Sequence, residues 1–314
     1  MRYVRLGESG LKVSVVSLGS WLTYGNAVEE AQAKECVRAA IEGGINLFDT
    51  ADVYAKGDAE RCLGRLLAQH RREGLVLATK LFWPMSDDPN DAGLSRKHIM
   101  ESCAASLRRL QTDYIDLYQC HRYDPETPVD EVVRAMDDLA RQGKILYWGV
   151  SCWTAEQIQS AVESARRQNA LPPISNQPVY NLLQREIEAE ILPTSGELGL
   201  GQIVYSPLAQ GLLTGKYRHG EVPAESRLAN DRLNRWMKER MTPENLARID
   251  RLAKVATEAD LALTRMALAW CLSQPGVCSV ITGASRAEQV RQNVAAADVE
   301  LDEDVLGAIE SALG

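Results

Sequence analysis

The polarity of the chain alternates on two periods. Short apolar runs with strand character recur at VVSLG (15–19), INLFD (45–49), LVLATK (75–80), YIDLYQC (114–120), ILYWGVS (145–151), PISNQ (173–177), IVYS (203–206) and CSVITG (278–283). Between them lie segments whose apolar residues return at helical spacing, at 31–42, 59–70, 96–110, 129–141, 155–167 and 184–192. Strands alternating with helices of this length predict a parallel sheet. Eight such units in about 270 residues fit an α/β fold of the closed (β/α)8, or TIM, barrel type better than an open doubly wound sheet. A β-hairpin (3–6 and 12–17, turning at Gly10) is expected ahead of the barrel, and a helix at 302–313 outside it. With no repeat, linker or low-complexity tract, residues 1–314 read as a single domain. The interval 207–242, rich in Gly, Arg and Asn, is far longer than an ordinary connection and reads as a lid or binding loop.

Bulk properties narrow the partners. At 314 residues and 45% hydrophobic content the chain can bury a large core. A net charge of -8 and a pI near 5.2 argue against nucleic acid or an anionic membrane as the main partner. No apolar run approaches the roughly 18–20 residues of a spanning helix, so membrane insertion is not expected. Seven cysteines without a C-x-x-C pair point to a reducing cytoplasm. The four histidines lack metal-ligand spacing, so no metal is expected.

In such a barrel the active site lies at the C-terminal ends of the strands. The second strand ends at Asp49, with Tyr54 in the loop beyond; the third ends at Lys80, the fourth at His121. Singly, each is an ordinary cap, strand-end or loop residue, and Asp52 is assigned no more than a turn or capping role. Gly57 and Asp58 look like the turn and cap that open the next helix. Jointly, Asp49, Tyr54, Lys80 and His121 suit acid catalysis. A phenol with a pKa near ~10 is a poor donor at neutral pH; an adjacent ammonium favours the phenolate, and a buried ammonium needs a carboxylate. His121 would orient a carbonyl oxygen or share the proton. The group that needs such a proton is a carbonyl oxygen whose carbon receives hydride.

These residues, together with FDTADVY, LATKLFW, GLSRKHIMES, SLRRLQTDYIDL, YWGVS, YSPLAQGLLTGKY, AWCL and ITGASRAEQVRQN in this order, make the chain resemble an aldo-keto reductase over essentially its whole length. GLSRKHI, RLQTDYIDL, YWGVSCW and SPLAQGLLTGKY are especially similar to the branch containing voltage-gated potassium channel β subunits and their bacterial relatives. The absence of G-x-G-x-x-G agrees with a family that binds its nicotinamide cofactor without a Rossmann domain. The resemblance implies NADP(H) as cofactor and a small carbonyl compound as substrate. It also implies assembly into a homo-oligomer, a tetramer or larger.

Cofactor contacts follow from the same resemblance. Ser206, Pro207, Leu208, Gln210, Gly211 and Lys216 follow the seventh strand, where glycines permit close backbone approach and Lys216 adds charge. After the eighth strand, the cofactor-contacting segment from Gly283 opens a helix, where Ser285, with Arg286 or Gln289, would meet the adenosine 2′-phosphate, and Asn293 the adenine. Arg286 suits NADPH over NADH because guanidinium pairs with phosphate bidentately. Tyr205 would stack on the nicotinamide, with Ser151 and Gln177 bonding its carboxamide. Family members commonly carry Asn after that serine and the channel subunits Arg, whereas this chain carries Cys152. Gly19, Ser20 and Trp21 would line the mouth. Trp21 and Trp83, with Trp153, would form an aromatic, uncharged pocket beside Tyr54 and His121, suited to aldehydes and dicarbonyls without a distal charge.

Two other readings compete with a carbonyl reductase. One is a cofactor-loaded regulatory or scaffold subunit with slow turnover, like the channel β subunits. Those subunits have Asn where this chain has His121, which favours a working enzyme. The other is a Schiff-base aldolase using Lys80, which leaves SPLAQGLLTGKY and GASRAEQ unexplained.

Overall fold

The computed structural model describes residues 1–21, 23–25, 29–217, 227–229 and 238–314. The strands are β1 (Tyr3–Arg5), β2 (Lys12–Ser14), β3 (Val16–Gly19), β4 (Leu47–Asp49) and β5 (Val76–Leu81). They continue with β6 (Ile115–Cys120), β7 (Ile145–Val150), β8 (Ser175–Asn176), β9 (Gly201–Tyr205) and β10 (Val277–Thr282). Strands β3 to β10 pair in parallel and in chain order, and β10 closes back onto β3 as a barrel of eight. Helices return the chain between strands, as the (β/α)8 reading requires. Helices Arg96–Leu110 and Val129–Arg141 occupy the predicted bounds, and Ser95 caps the first through its side chain. The C-terminal helix Glu303–Leu313 is capped by Asp302.

Two elements differ from the sequence reading. The second hairpin strand ends at Ser14, not Ser17, because Asn46 reaches across: its Oδ1 accepts from Ser14 N (2.7 Å). The chain bends at Val15 and enters the barrel as β3. The helix expected at 184–192 is a short turn, Glu186–Glu188, followed by a helix only over Ile191–Glu197. Asn181 and Gln184 bond each other's backbone (3.2 and 2.9 Å), and Asn181 Oδ1 accepts from Leu183 N, so the first predicted turn folds as a loop. Of the long 207–242 interval, residues 218–226 and 230–237 lie outside the described residues, and with them the lid expectation.

The barrel interior is graded from apolar to polar. Leu47, Val76, Ala78, Leu117, Ile174 and Ile203 form one buried cluster with Leu6 and Val13 of the hairpin. The hairpin therefore plugs the N-terminal end of the barrel. The fit is close at Gly7 (φ +58), where a Cβ would lie 2.3 Å from Gly199 O. Two residues along the same strands the inward positions become Asp49, Lys80, Gln119 and Tyr205. With one end closed by apolar packing, polar chemistry can gather only at the other. No helix among the described residues is long and apolar enough to cross a membrane.

Candidate active site

Lys80 is fully buried at the top of β5, and its Nζ donates to Asp49 Oδ1 (2.6 Å), Thr50 O (2.7 Å) and Tyr54 Oη (3.4 Å). Parallel pairing sets this arrangement. Asp49 pairs with Ala78, so Lys80 stands one inward step higher, and Lys80 pairs with Gln119 on the next strand. The other carboxylate oxygen of Asp49 accepts from Gln177 Nε2 (2.9 Å) and Gln119 Nε2 (3.5 Å). A buried ion pair is tolerated when its remaining lone pairs are met, and here they are. Gln119 was not singled out from the sequence. Its signal was the step shared by three strands, Leu47 to Asp49, Ala78 to Lys80 and Leu117 to Gln119.

Burial raises the Tyr54 phenol above its ordinary pKa; the Lys80 ammonium opposes that rise and Asp49 adds to it. This corrects the expectation that Lys80 makes the phenol more acidic overall. Desolvating a phenolate costs more than the neighbouring ammonium returns, so the resting phenol keeps its proton. Burial would lower the Lys80 pKa, but Asp49 and Tyr54 more than compensate and it stays above its ordinary value. Lys80 therefore holds its ammonium against Asp49.

The Tyr54 loop is tied to the strand that carries Lys80. Thr50 N donates to Ala78 O (2.9 Å) and Asp52 N to Lys80 O (3.1 Å), continuing the parallel ladder past the strand end. Beyond it, Ala55, Lys56 and Gly57 take φ of 50, 52 and 90°, a left-handed run that costs energy at the two non-glycine residues. Gly57, not Asp58, occupies the N-cap of the helix Asp58–Leu67, and Asp58 is its first residue. Asp52 is fully buried; its Oδ1 accepts from Val53 N (2.6 Å) and its Oδ2 from Ser102 Oγ (3.1 Å). It therefore has the expected turn role and also bridges to the helix Arg96–Leu110. Burial, then the nearby Glu60, pushes its pKa up to about 7.

His121 faces Tyr54 edge to face, with ring centroids 5.8 Å apart. Burial lowers its pKa well below the ordinary value, helped by Lys80 and Arg122, so the imidazole is neutral. Trp83 stands 6.4 Å from His121 and is 38% exposed. Trp21 is half-buried after Ser20, whose Oγ donates to Thr50 Oγ1 (2.8 Å). Trp153 is instead core, 1% exposed and packed on Tyr123 at 5.0 Å. Nor is the rim uncharged: the Arg122 guanidinium lies 5.7 Å from the centre of the Trp83 ring. Arg122 directly follows His121, but no apolar run or motif in the sequence marks it out.

Ser151 Oγ donates to Gln177 O (2.8 Å), which binds the ends of β7 and β8 together. Gln177 spends its amide nitrogen on Asp49 and on Gln119 Oε1 (3.3 Å), leaving its own side-chain oxygen as the acceptor. Tyr205 is half-buried at the end of β9, with its hydroxyl 3.5 Å from Cys152 Sγ. Gly19 lies where a Cβ would meet the Ile281 side chain at 2.6 Å.

Next comes a backbone cradle. Ser206, Ala209 and Gln210 have φ of 54, 46 and 57°, and Gly211 and Gly215 are also left-handed. Asn181 Nδ2 donates to Ser206 O (3.0 Å) and holds the first turn. Pro207 is buried, Leu208 half-buried and Lys216 exposed. Across the rim, Ala31, Gln32, Glu35, Ser285, Arg286 and Ala287 line a cavity of about 300 Å³. At Gly283 a Cβ would project into open space. Gln289 Oε1 accepts from Ser285 N (2.8 Å), Ser285 Oγ (3.2 Å) and Arg286 N (3.3 Å), so it caps the helix Ala287–Val294 rather than facing the cavity alone. Asn293 is buried one turn later. The residues fit a dinucleotide: strained left-handed turns, the cavity, open space at Gly283, and a buried Gln210 Oε1 without a partner among the described residues.

Comparison with known proteins agrees with this geometry. Residues 15–313 match the model of the aldo/keto reductase family. A probable voltage-gated potassium channel subunit beta of Oryza sativa subsp. japonica is 44% identical over 302 residues, covering 95% of this chain and 92% of the relative. A protein of the same description from Arabidopsis thaliana is 43% identical, with the same coverage of both chains. A barrel plugged below, with its polar chemistry gathered above, and a family match across the whole barrel lead to one conclusion: the chain belongs to the aldo/keto reductase family, an oxidoreductase family that generally uses NAD(P)H.

Proposed function

We propose that the chain is an NADPH-dependent reductase of small aldehydes and ketones. The observation that carries this reading is the chain of contacts from Asp49 through Lys80 Nζ to Tyr54 Oη, with neutral His121 facing the same phenol. The nicotinamide would lie between Tyr205 and the Asp49–Gln177 rim near Ser151, Gly19, Ser20 and Trp21. The diphosphate would lie along 206–211 near Lys216, and the adenosine beside Gly283, Ser285, Arg286, Gln289 and Asn293. When bound, NADPH supplies a hydride for the carbonyl carbon.

The protein's residues do the rest. Tyr54 Oη donates a hydrogen bond to the carbonyl oxygen and delivers its proton as that oxygen gains charge. Lys80 keeps its ammonium against the phenol, so the phenolate left behind is stabilised at that moment and not before. Asp49 holds the ammonium in place. Neutral His121 positions the oxygen without competing for the proton. A positioned general acid is worth roughly 10²–10⁴-fold in rate. Arg286, at the rim of the cavity of about 300 Å³, would receive the 2′-phosphate that distinguishes NADPH.

The names of the relatives favour a second reading, a cofactor-loaded regulatory subunit with slow turnover. Steady-state NADPH oxidation with 4-nitrobenzaldehyde and methylglyoxal separates the two. The reductase reading expects sustained turnover of at least one. Tight NADPH binding without turnover of either would contradict it and favour the regulatory subunit.

A further inference from the structure

The catalytic set leaves one charged group at the mouth without a task. Arg122 donates one N–H to His121 O (2.5 Å) and lies against Trp83, and no described carboxylate comes within 4 Å of it. The neighbouring Asp124 spends its oxygens on Leu94 N (2.7 Å), Glu126 N (3.0 Å) and Thr127 Oγ1 (2.8 Å). The guanidinium is half-buried, with donors to spare. Its planar fork matches a carboxylate or a phosphate, and leaving such a group partly desolvated without a counter-ion is unfavourable. Its field reaches the reacting groups, acting to lower the pKa of Tyr54, Tyr205 and His121.

Resting on the reductase reading above, we propose that Arg122 recognises an anionic group, a carboxylate or a phosphate ester, carried by the substrate a few bonds from its carbonyl. Contacts run in sequence from Tyr54 to His121 (5.8 Å), His121 to Trp83 (6.4 Å) and Trp83 to Arg122 (5.7 Å). A short chain lying on the tryptophan face would span from the acid to the guanidinium. With bound NADPH supplying hydride to the carbonyl carbon, the C=O π pair would move to oxygen and Tyr54 would give that oxygen its proton. The products are NADP⁺ and a hydroxy acid or hydroxyalkyl phosphate. An arginine that merely packs on Trp83 would not distinguish charged from neutral substrates.

The test compares wild type, Arg122→Gln and Arg122→Lys on matched pairs: succinic semialdehyde against butanal, and glyceraldehyde 3-phosphate against glyceraldehyde. The ratio of kcat/KM for the charged over the neutral member should fall at least about tenfold in Arg122→Gln, mainly through KM, and partly recover in Arg122→Lys. The pair that responds tells carboxylate from phosphate. An unchanged ratio in both pairs overturns the proposal. A readout without turnover keeps the two readings apart: fluorescence titration of the NADPH-loaded protein with 4-hydroxybutanoate and with glycerol 3-phosphate. Binding to wild type that weakens about tenfold in Arg122→Gln supports the anion site even if no aldehyde is reduced, an outcome that would sink only the reductase reading. Equal affinities of wild type and variant for both probes, or no saturable binding to wild type, overturn it.

Discussion

At Lys80 an ammonium sits where water does not reach, and it survives there because three oxygens surround it. Removing one partner of a buried pair leaves the other uncompensated, a loss of about 3–5 kcal/mol. Lys80→Met should therefore destabilise the fold by that order in urea denaturation, as well as abolish turnover. Adding Asp49→Asn should cost less than the sum of the single changes, with a coupling of about 0.5–3 kcal/mol. Strict additivity would mean the pair is not ionic. Asp49, Tyr54, Lys80 and His121 could be read from the sequence because each closes or follows a recognisable apolar run. The direction of the Tyr54 shift could not, because it depends on how completely the loop encloses the phenol. Arg122 could not either, because its meaning comes from Trp83, distant in sequence.

The element that aims Tyr54 is a strained turn, held on one side by β5 and on the other by Asp52 and Ser102. Asp52 carries a carboxyl pushed up to about 7 from 3.8. The sign follows directly. Its retained proton stabilises the native state fully below the unfolded value, and that contribution is lost as pH rises through about 7. Asp52→Asn can still accept from Val53 N while its NH₂ donates to Ser102 Oγ, and it carries no titrating charge. Its melting temperature should exceed wild type by a few degrees at about pH 8, on the order of 1–2 kcal/mol, and the gap should narrow steadily as pH falls through about 7 toward about 4. Parallel Tm curves across that range would contradict the assignment. The helix starts near 96 and 302 are short-range signals and were readable, and the structure adds the caps at Ser95 and Asp302. The loop that replaces the start of 184–192 was not, because Asn181 and Gln184 close it through a reciprocal pairing that periodicity does not register.

Across the whole molecule, the hairpin seals one end of the barrel with Leu6 and Val13, and the graded strand interiors carry polarity to the other. Eight strand–helix units made the barrel legible from periodicity alone. The closure order and the plug depend on contacts between segments far apart in the chain. The glycine-bearing turn after β9 was legible, but its left-handed Ser206, Ala209 and Gln210 were not, since backbone φ at such residues is imposed by tertiary context. The central claim is that this open end reduces carbonyls with Tyr54 as the acid. It is tested most directly by Tyr54→Phe, measuring NADPH affinity and aldehyde-dependent NADPH oxidation on one preparation. The account predicts a loss in kcat of about 10²-fold or more with NADPH affinity within about threefold of wild type. Turnover that survives the substitution at the wild-type rate would contradict it.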